Sequence, residues 1–140
     1  MPTSTFIKEA IEEKLVRDAL LNENSKYNLE YTLDKIKKII IRDIPKALKD
    51  DCREIILYGS CARGDFTNDS DVDVAILTDS DRETVKKYDS MIDDIATSIG
   101  IDTMAIVNFV CLPKKEFEEK NSWYPYFMNI KKEGIVLYEH

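Results

Sequence analysis

At 140 residues, with 44% apolar and 34% charged positions, the chain has the size and composition of one globular domain, which excludes a disordered or fibrous protein. A net charge of −7 argues against a grip on nucleic-acid phosphates, and no apolar run reaches the ~18 residues of a membrane span. With a single histidine, His140, at the end of the chain, neither a histidine triad nor a histidine metal site can be assembled, so any catalysis must run on carboxylates.

The opening residues, MPTSTFIKE, lack a basic stretch followed by an apolar core, so the expected location is the cytoplasm. In residues 6–21, Ile7, Ile11 and Leu15 recur every fourth position and predict an amphipathic helix that Ser4 or Thr5 could cap. Residues 22–28 are polar and read as a connection. Leu29, Leu33, Ile36 and Ile40 mark a second helix, which Pro45 is expected to end or kink.

Residues 54–58, a short β-branched run stopped by Gly59, predict a buried strand opening into a tight turn. Residues 71–77 alternate, which puts Asp71, Asp73 and Ala75 on one face of a second strand. Val85, Tyr88, Ile92, Ile95 and Ile99 form a helical stripe with Gly100 as its expected C-terminal cap. Strand chemistry is expected to resume over 101–109, with Asp102, Met104 and Ile106 on one face. Short helices over 114–120 and 124–132 and a last strand over 135–138 complete the order. That order suits an α+β or α/β-like sandwich around a small mixed sheet. The three cysteines, Cys52, Cys61 and Cys111, show neither a disulfide pattern nor zinc spacing.

The informative constellation is a strand, Gly59-Ser60, ten intervening residues, then Asp71-x-Asp73 entering another strand. Carboxylates at i and i+2 of a strand point the same way, roughly 7 Å apart along the chain, and can hold divalent cations between them. Without a cation the two like charges oppose each other's ionisation; a magnesium ion removes that cost and can clamp a nucleoside triphosphate. Gly59 lets backbone amides approach phosphate oxygens, Ser60 adds a neutral donor and Arg63 a fixed positive charge.

Gly59-Ser60, Ala62-Arg63-Gly64 and Ser70-Asp71-x-Asp73 together resemble the signature of the minimal nucleotidyltransferases (MNT) of the polymerase β superfamily. The likeness runs from about Ile36 to Tyr138 and includes the closing segment Glu-Gly-Ile-Val-Leu-Tyr. It implies the polymerase β-type nucleotidyltransferase fold over 29–140, preceded by an extra helical segment over 1–28. It also implies two magnesium ions on Asp71 and Asp73, with ATP as substrate held by Gly59, Ser60, Arg63 and Ser70. A third carboxylate on a later strand would complete the metal site and activate the acceptor, and Asp102 is the candidate by position. Since the chain leaves little from which to build an acceptor site, the expected acceptor is a partner protein, as in the antitoxin half of HEPN/MNT toxin-antitoxin pairs, where AMP is added to a tyrosine of an RNase toxin. An antibiotic adenylyltransferase working as a homodimer is the second enzymatic reading, and a non-catalytic interaction module the third.

Other readings of the same residues fit less well. A calcium loop would need Gly in place of Val74 and Glu in place of Ser80, and a P-loop would need Lys-Ser/Thr after Gly64. Ser60 has no histidine to make it a hydrolase nucleophile. Asp71 and Asp73 could cap a turn, and Asp102 could be an ordinary acidic residue at a strand start. Trp123, Tyr124, Tyr126 and Phe127 read as core or interface before they read as a base-stacking platform.

Overall fold

A computed structural model describes residues 27–140, so the helix expected over 6–21 and its cap lie outside the described residues. Helix α1, Leu29–Leu48, begins where the Asn28 side chain accepts the Glu30 N–H, a cap worth about 1 kcal/mol. Leu29, Leu33, Ile36, Ile40, Ile44 and Leu48 form its buried stripe. Pro45 does not end the helix as expected. Ile44 and Leu48 are buried on either side of it, and burying each contributes about 1.5–3 kcal/mol, enough to offset one lost backbone bond.

Four strands follow in the spatial order β3-β2-β1-β4: β1 Cys52–Tyr58, β2 Val72–Thr78, β3 Val107–Pro113 and β4 Ile135–Glu139. β1 pairs antiparallel with both β2 and β4, whereas β2 and β3 are parallel, so the sheet is mixed. Ile55, Leu57, Val72, Val74 and Ile76 share one buried cluster with α1 and with α4, Asp89–Thr103. Ile56, Ala75, Leu77 and Leu112 share the other with Phe117 and with Phe127 and Ile130. These last three belong to α5, Lys114–Lys120, and α6, Pro125–Glu133. Helices therefore cover both faces of a small sheet, in agreement with the expected fold class.

Between β1 and β2 the chain makes a single helical turn, α2, Ser60–Arg63. Between β2 and β3 the expected continuous helix is divided into α3, Arg82–Val85, a 3-10 turn over Lys86–Tyr88, and α4. The expected cap at Gly100 is also displaced. α4 runs on to Thr103, whose hydroxyl donates to the Ile99 carbonyl at 2.7 Å and accepts the Ala105 N–H at 3.2 Å, and the left-handed residue is Met104, φ 67°. Residues 101–103 are thus helical, and β3 begins only at Val107. Among the described residues no helix is long and apolar enough to cross a membrane.

Candidate active site

The residues singled out around Gly59 and Asp73 meet at the end of the sheet where β1 stops and β2 starts, since Tyr58 is registered with Asp73 across the antiparallel pair. Gly59 must be glycine for two reasons. Its φ of 75° lies in the left-handed region, and a Cβ there would fall 2.6 Å from Asp73 Oδ2. The Asp73 carboxylate therefore fills the space that a side chain at position 59 would need.

Asp71 stands one residue before β2, and Asp73 is its second residue. Their carboxylates converge: the Asn108 side-chain amide donates to Asp71 Oδ2 at 3.1 Å and to Asp73 Oδ1 at 3.3 Å. Burial pushes the Asp73 carboxyl above its ordinary range; the Asn108 hydrogen bond pulls it down, while the Asp71 charge adds to the rise. Two hard oxygen donors held together with too little positive charge fit a divalent cation such as magnesium. Among the described residues, no group of three or more acidic, cysteine or histidine side chains gathers to hold a metal.

Asp102 is not brought to this pair. It lies in the last turn of α4, where its carboxylate meets Lys35 Nζ of α1 at 3.1 Å on the outer surface. The residue that parallel pairing places beside Asp73 is Asn108 of β3, an amide where a third carboxylate was expected. Ser70 is bound up in its own loop, its hydroxyl accepting the Thr67 N–H at 2.9 Å and its N–H donating to the Thr67 carbonyl at 3.0 Å. Ser60 opens α2 directly after Gly59. Arg63 closes α2 and spreads its guanidinium between Asp65, at 3.2 Å, and Glu133.

Two residues escaped the sequence reading. Asn108 carried no signal without the β2–β3 register. Glu133, the last residue of α6, stands in the sequence only as the first residue of the closing segment; its Oε1 accepts the Gly59 N–H and an Arg63 N–H, each at 3.1 Å. On the flank of the site the Tyr58 and Tyr126 hydroxyls lie 2.8 Å apart, and burial, then the Tyr126 hydrogen bond, drive the Tyr58 phenol upward, so it stays neutral. Trp123, Tyr124 and Tyr126 are 61%, 43% and 41% exposed, and of these Tyr126 reaches the site through Tyr58.

A fold of this kind with a Gly-Ser turn against paired aspartates defines a nucleotidyltransferase. The family model for the nucleotidyltransferase domain matches residues 33–132, and the chain belongs to that family. The Methanocaldococcus jannaschii protein named "Putative protein adenylyltransferase MJ0604" is 34% identical over 102 residues, covering 70% of this chain and 94% of its own length. A second protein of that organism, "Putative protein adenylyltransferase MJ0141", is 43% identical over 58 residues, covering 41% of this chain and 58% of its own length. The crystal structure of a "putative nucleotidyltransferase from Sulfolobus solfataricus" shares the fold, with a TM-score of 0.51 at 16% identity over 76% of this chain and 82% of that one. The protein is thus an enzyme of the adenylyltransferase class.

Proposed function

We propose that the protein is a magnesium-dependent adenylyltransferase that moves AMP from ATP to a hydroxyl on a partner protein. The observation that supports it most is the convergence of Asp71 and Asp73 at a turn whose only allowed residue is Gly59. In this reading the Gly59 N–H, Ser60 and Arg63 hold the triphosphate, with Arg63 kept in place by Asp65. Asp71 and Asp73 carry the magnesium, two ions as the family resemblance implies, and Ser70 braces the loop that delivers them. Magnesium, when bound, neutralises charge on the phosphates and favours in-line displacement of pyrophosphate from the α-phosphorus. Asp102, paired with Lys35, takes no part.

The protein acceptor is supported by the exposed Trp123, Tyr124 and Tyr126, residue types that favour protein interfaces, of which Tyr126 meets Tyr58 at the flank of the site, and by the name of the M. jannaschii relative, a protein adenylyltransferase. The acceptor class that the family resemblance implies is a small helical RNase of the HEPN type with a modifiable tyrosine.

The test is incubation of the protein with magnesium, ATP labelled at the α-phosphate, and a HEPN-type partner, read by intact mass. Addition of AMP to a partner tyrosine is expected. In a parallel incubation with an aminoglycoside in place of the partner, label on the aminoglycoside with none on protein in either incubation would overturn the acceptor assignment.

A further inference from the structure

The groups assigned to the triphosphate already have an anion on them. Glu133 reaches back from the end of α6 and takes the Gly59 N–H at 3.1 Å together with Arg63 Nη1, at 3.1 Å through Oε1 and 3.2 Å through Oε2. Its carboxylate thereby enters the surroundings of Asp73, whose Oδ2 fills the space that a Cβ on Gly59 would take. A carboxylate gains nothing from facing another carboxylate. It is held there by donors of the kind that phosphate oxygens use.

We infer that Glu133 is an internal competitor for the nucleotide: its carboxylate occupies the Gly59 amide and Arg63 in the free enzyme, and the triphosphate binds by exchanging with it. The inference rests on the nucleotide-binding reading given above. The exchange asks only the side chain to move. Gly134 follows Glu133 so closely packed that a Cβ would lie 2.3 Å from the Ile130 carbonyl oxygen and 2.4 Å from Ile56 Cγ2. The Glu133 side chain is 23% exposed, so rotation about its own bonds carries the charge to water. Arg63 keeps an orienting partner after the exchange, since Asp65 holds its Nε at 3.2 Å.

The consequence for affinity has a definite sign. A site that must release an internal anion binds its ligand more weakly, in inverse proportion to the fraction of time the site is free of that anion. Neutralising Glu133 therefore tightens nucleotide binding while it removes a charge-assisted contact from the free protein. A residue that merely props the turn in a binding-competent shape would do the reverse to affinity. Stability and affinity consequently move in opposite directions for a competitor and in the same direction for a prop.

The experiment is titration calorimetry with a non-hydrolysable ATP analogue and magnesium on the wild type, Glu133→Gln and Glu133→Ala, alongside melting of each protein without nucleotide. Roughly tenfold tighter binding in Glu133→Gln, with a lower melting temperature in the absence of nucleotide, is expected from loss of one charge-assisted competitor. Glu133→Ala should change in the same direction, so the outcome does not depend on how the new amide hydrogen-bonds. Unchanged or weaker binding in both variants, with the wild type binding normally, overturns the competitor role alone. No binding in any of the three proteins overturns the nucleotide site itself, and the inference with it.

Discussion

Asp51 and Asp73 sit at opposite ends of the β1–β2 pair, and their surroundings are opposite in kind. Asp51 precedes β1, and its carboxylate accepts hydrogen bonds from the Ser80 and Tyr88 hydroxyls and from the Asp79 N–H. Burial works against its ionisation, but the Ser80, Tyr88 and Asp79 bonds outweigh it and hold the carboxyl below its usual range. Asp73 is half-buried beside Asp71 and is held above its range, with one amide, that of Asn108, shared between the two carboxylates. One end of the sheet is satisfied without a ligand. The other end carries surplus negative charge, which is costly for folding and suited to a cation and a nucleotide.

Substitutions at the two ends should separate these roles. The largest effect is expected from Asp71→Asn and Asp73→Asn, which should reduce AMP transfer to background in an assay following the labelled nucleotide. Without metal, both variants should melt at or above the wild-type temperature, because one of two repelling charges is gone.

Asp51→Ala should do the opposite. It should cost about 1–3 kcal/mol by strips of unpartnered donors, measurable by denaturant unfolding, while transfer activity persists. The pH dependence of the two ends should also differ in sign. Asp51 has a lowered folded value, so its contribution is present above the unfolded value and is lost as pH falls through the folded one. The stability gap between wild type and Asp51→Ala should therefore close on acidification. Asp73 has a raised folded value, so its ionisation costs stability at neutral pH, and that cost disappears as pH falls through the folded value. Any advantage of Asp73→Asn should fade in acid.

The smallest effect is expected from Asn108→Ala. It removes an exposed amide that spans the two carboxylates, which should cost about 0.5–1.5 kcal/mol in metal-free buffer. Magnesium should narrow that difference in a melting experiment, since a cation takes over the bridging.

Much of this contrast was legible in the sequence at the catalytic end and little of it elsewhere. The spacing from Gly59-Ser60 to Asp71-x-Asp73 is local, so strand alternation and turn chemistry were enough to bring those residues together. Asp102 misled because an acidic residue after an apparent helix cap reads as a strand start, whereas Thr103 extends the helix by bonding the Ile99 carbonyl. Pro45, expected to end or kink the helix, does not end it, because burial of Ile44 and Leu48 outweighs the lost backbone bond. Asn108 and Glu133 could not be found by spacing. The first depends on the β2–β3 register, and the second is 74 positions along the chain from the Gly59 amide it caps.

The most direct test of the contrast is the melting temperature of the wild type, Asp51→Ala and Asp73→Asn, each with and without magnesium and a non-hydrolysable ATP analogue. Binding to the folded state should raise the melting temperature of the wild type and of Asp51→Ala by similar amounts, although Asp51→Ala starts lower. Asp73→Asn should start no lower than the wild type and gain little. An Asp73→Asn protein that is destabilised without ligand, or that keeps the full wild-type gain with it, would contradict the assignment of this end of the sheet to metal and nucleotide.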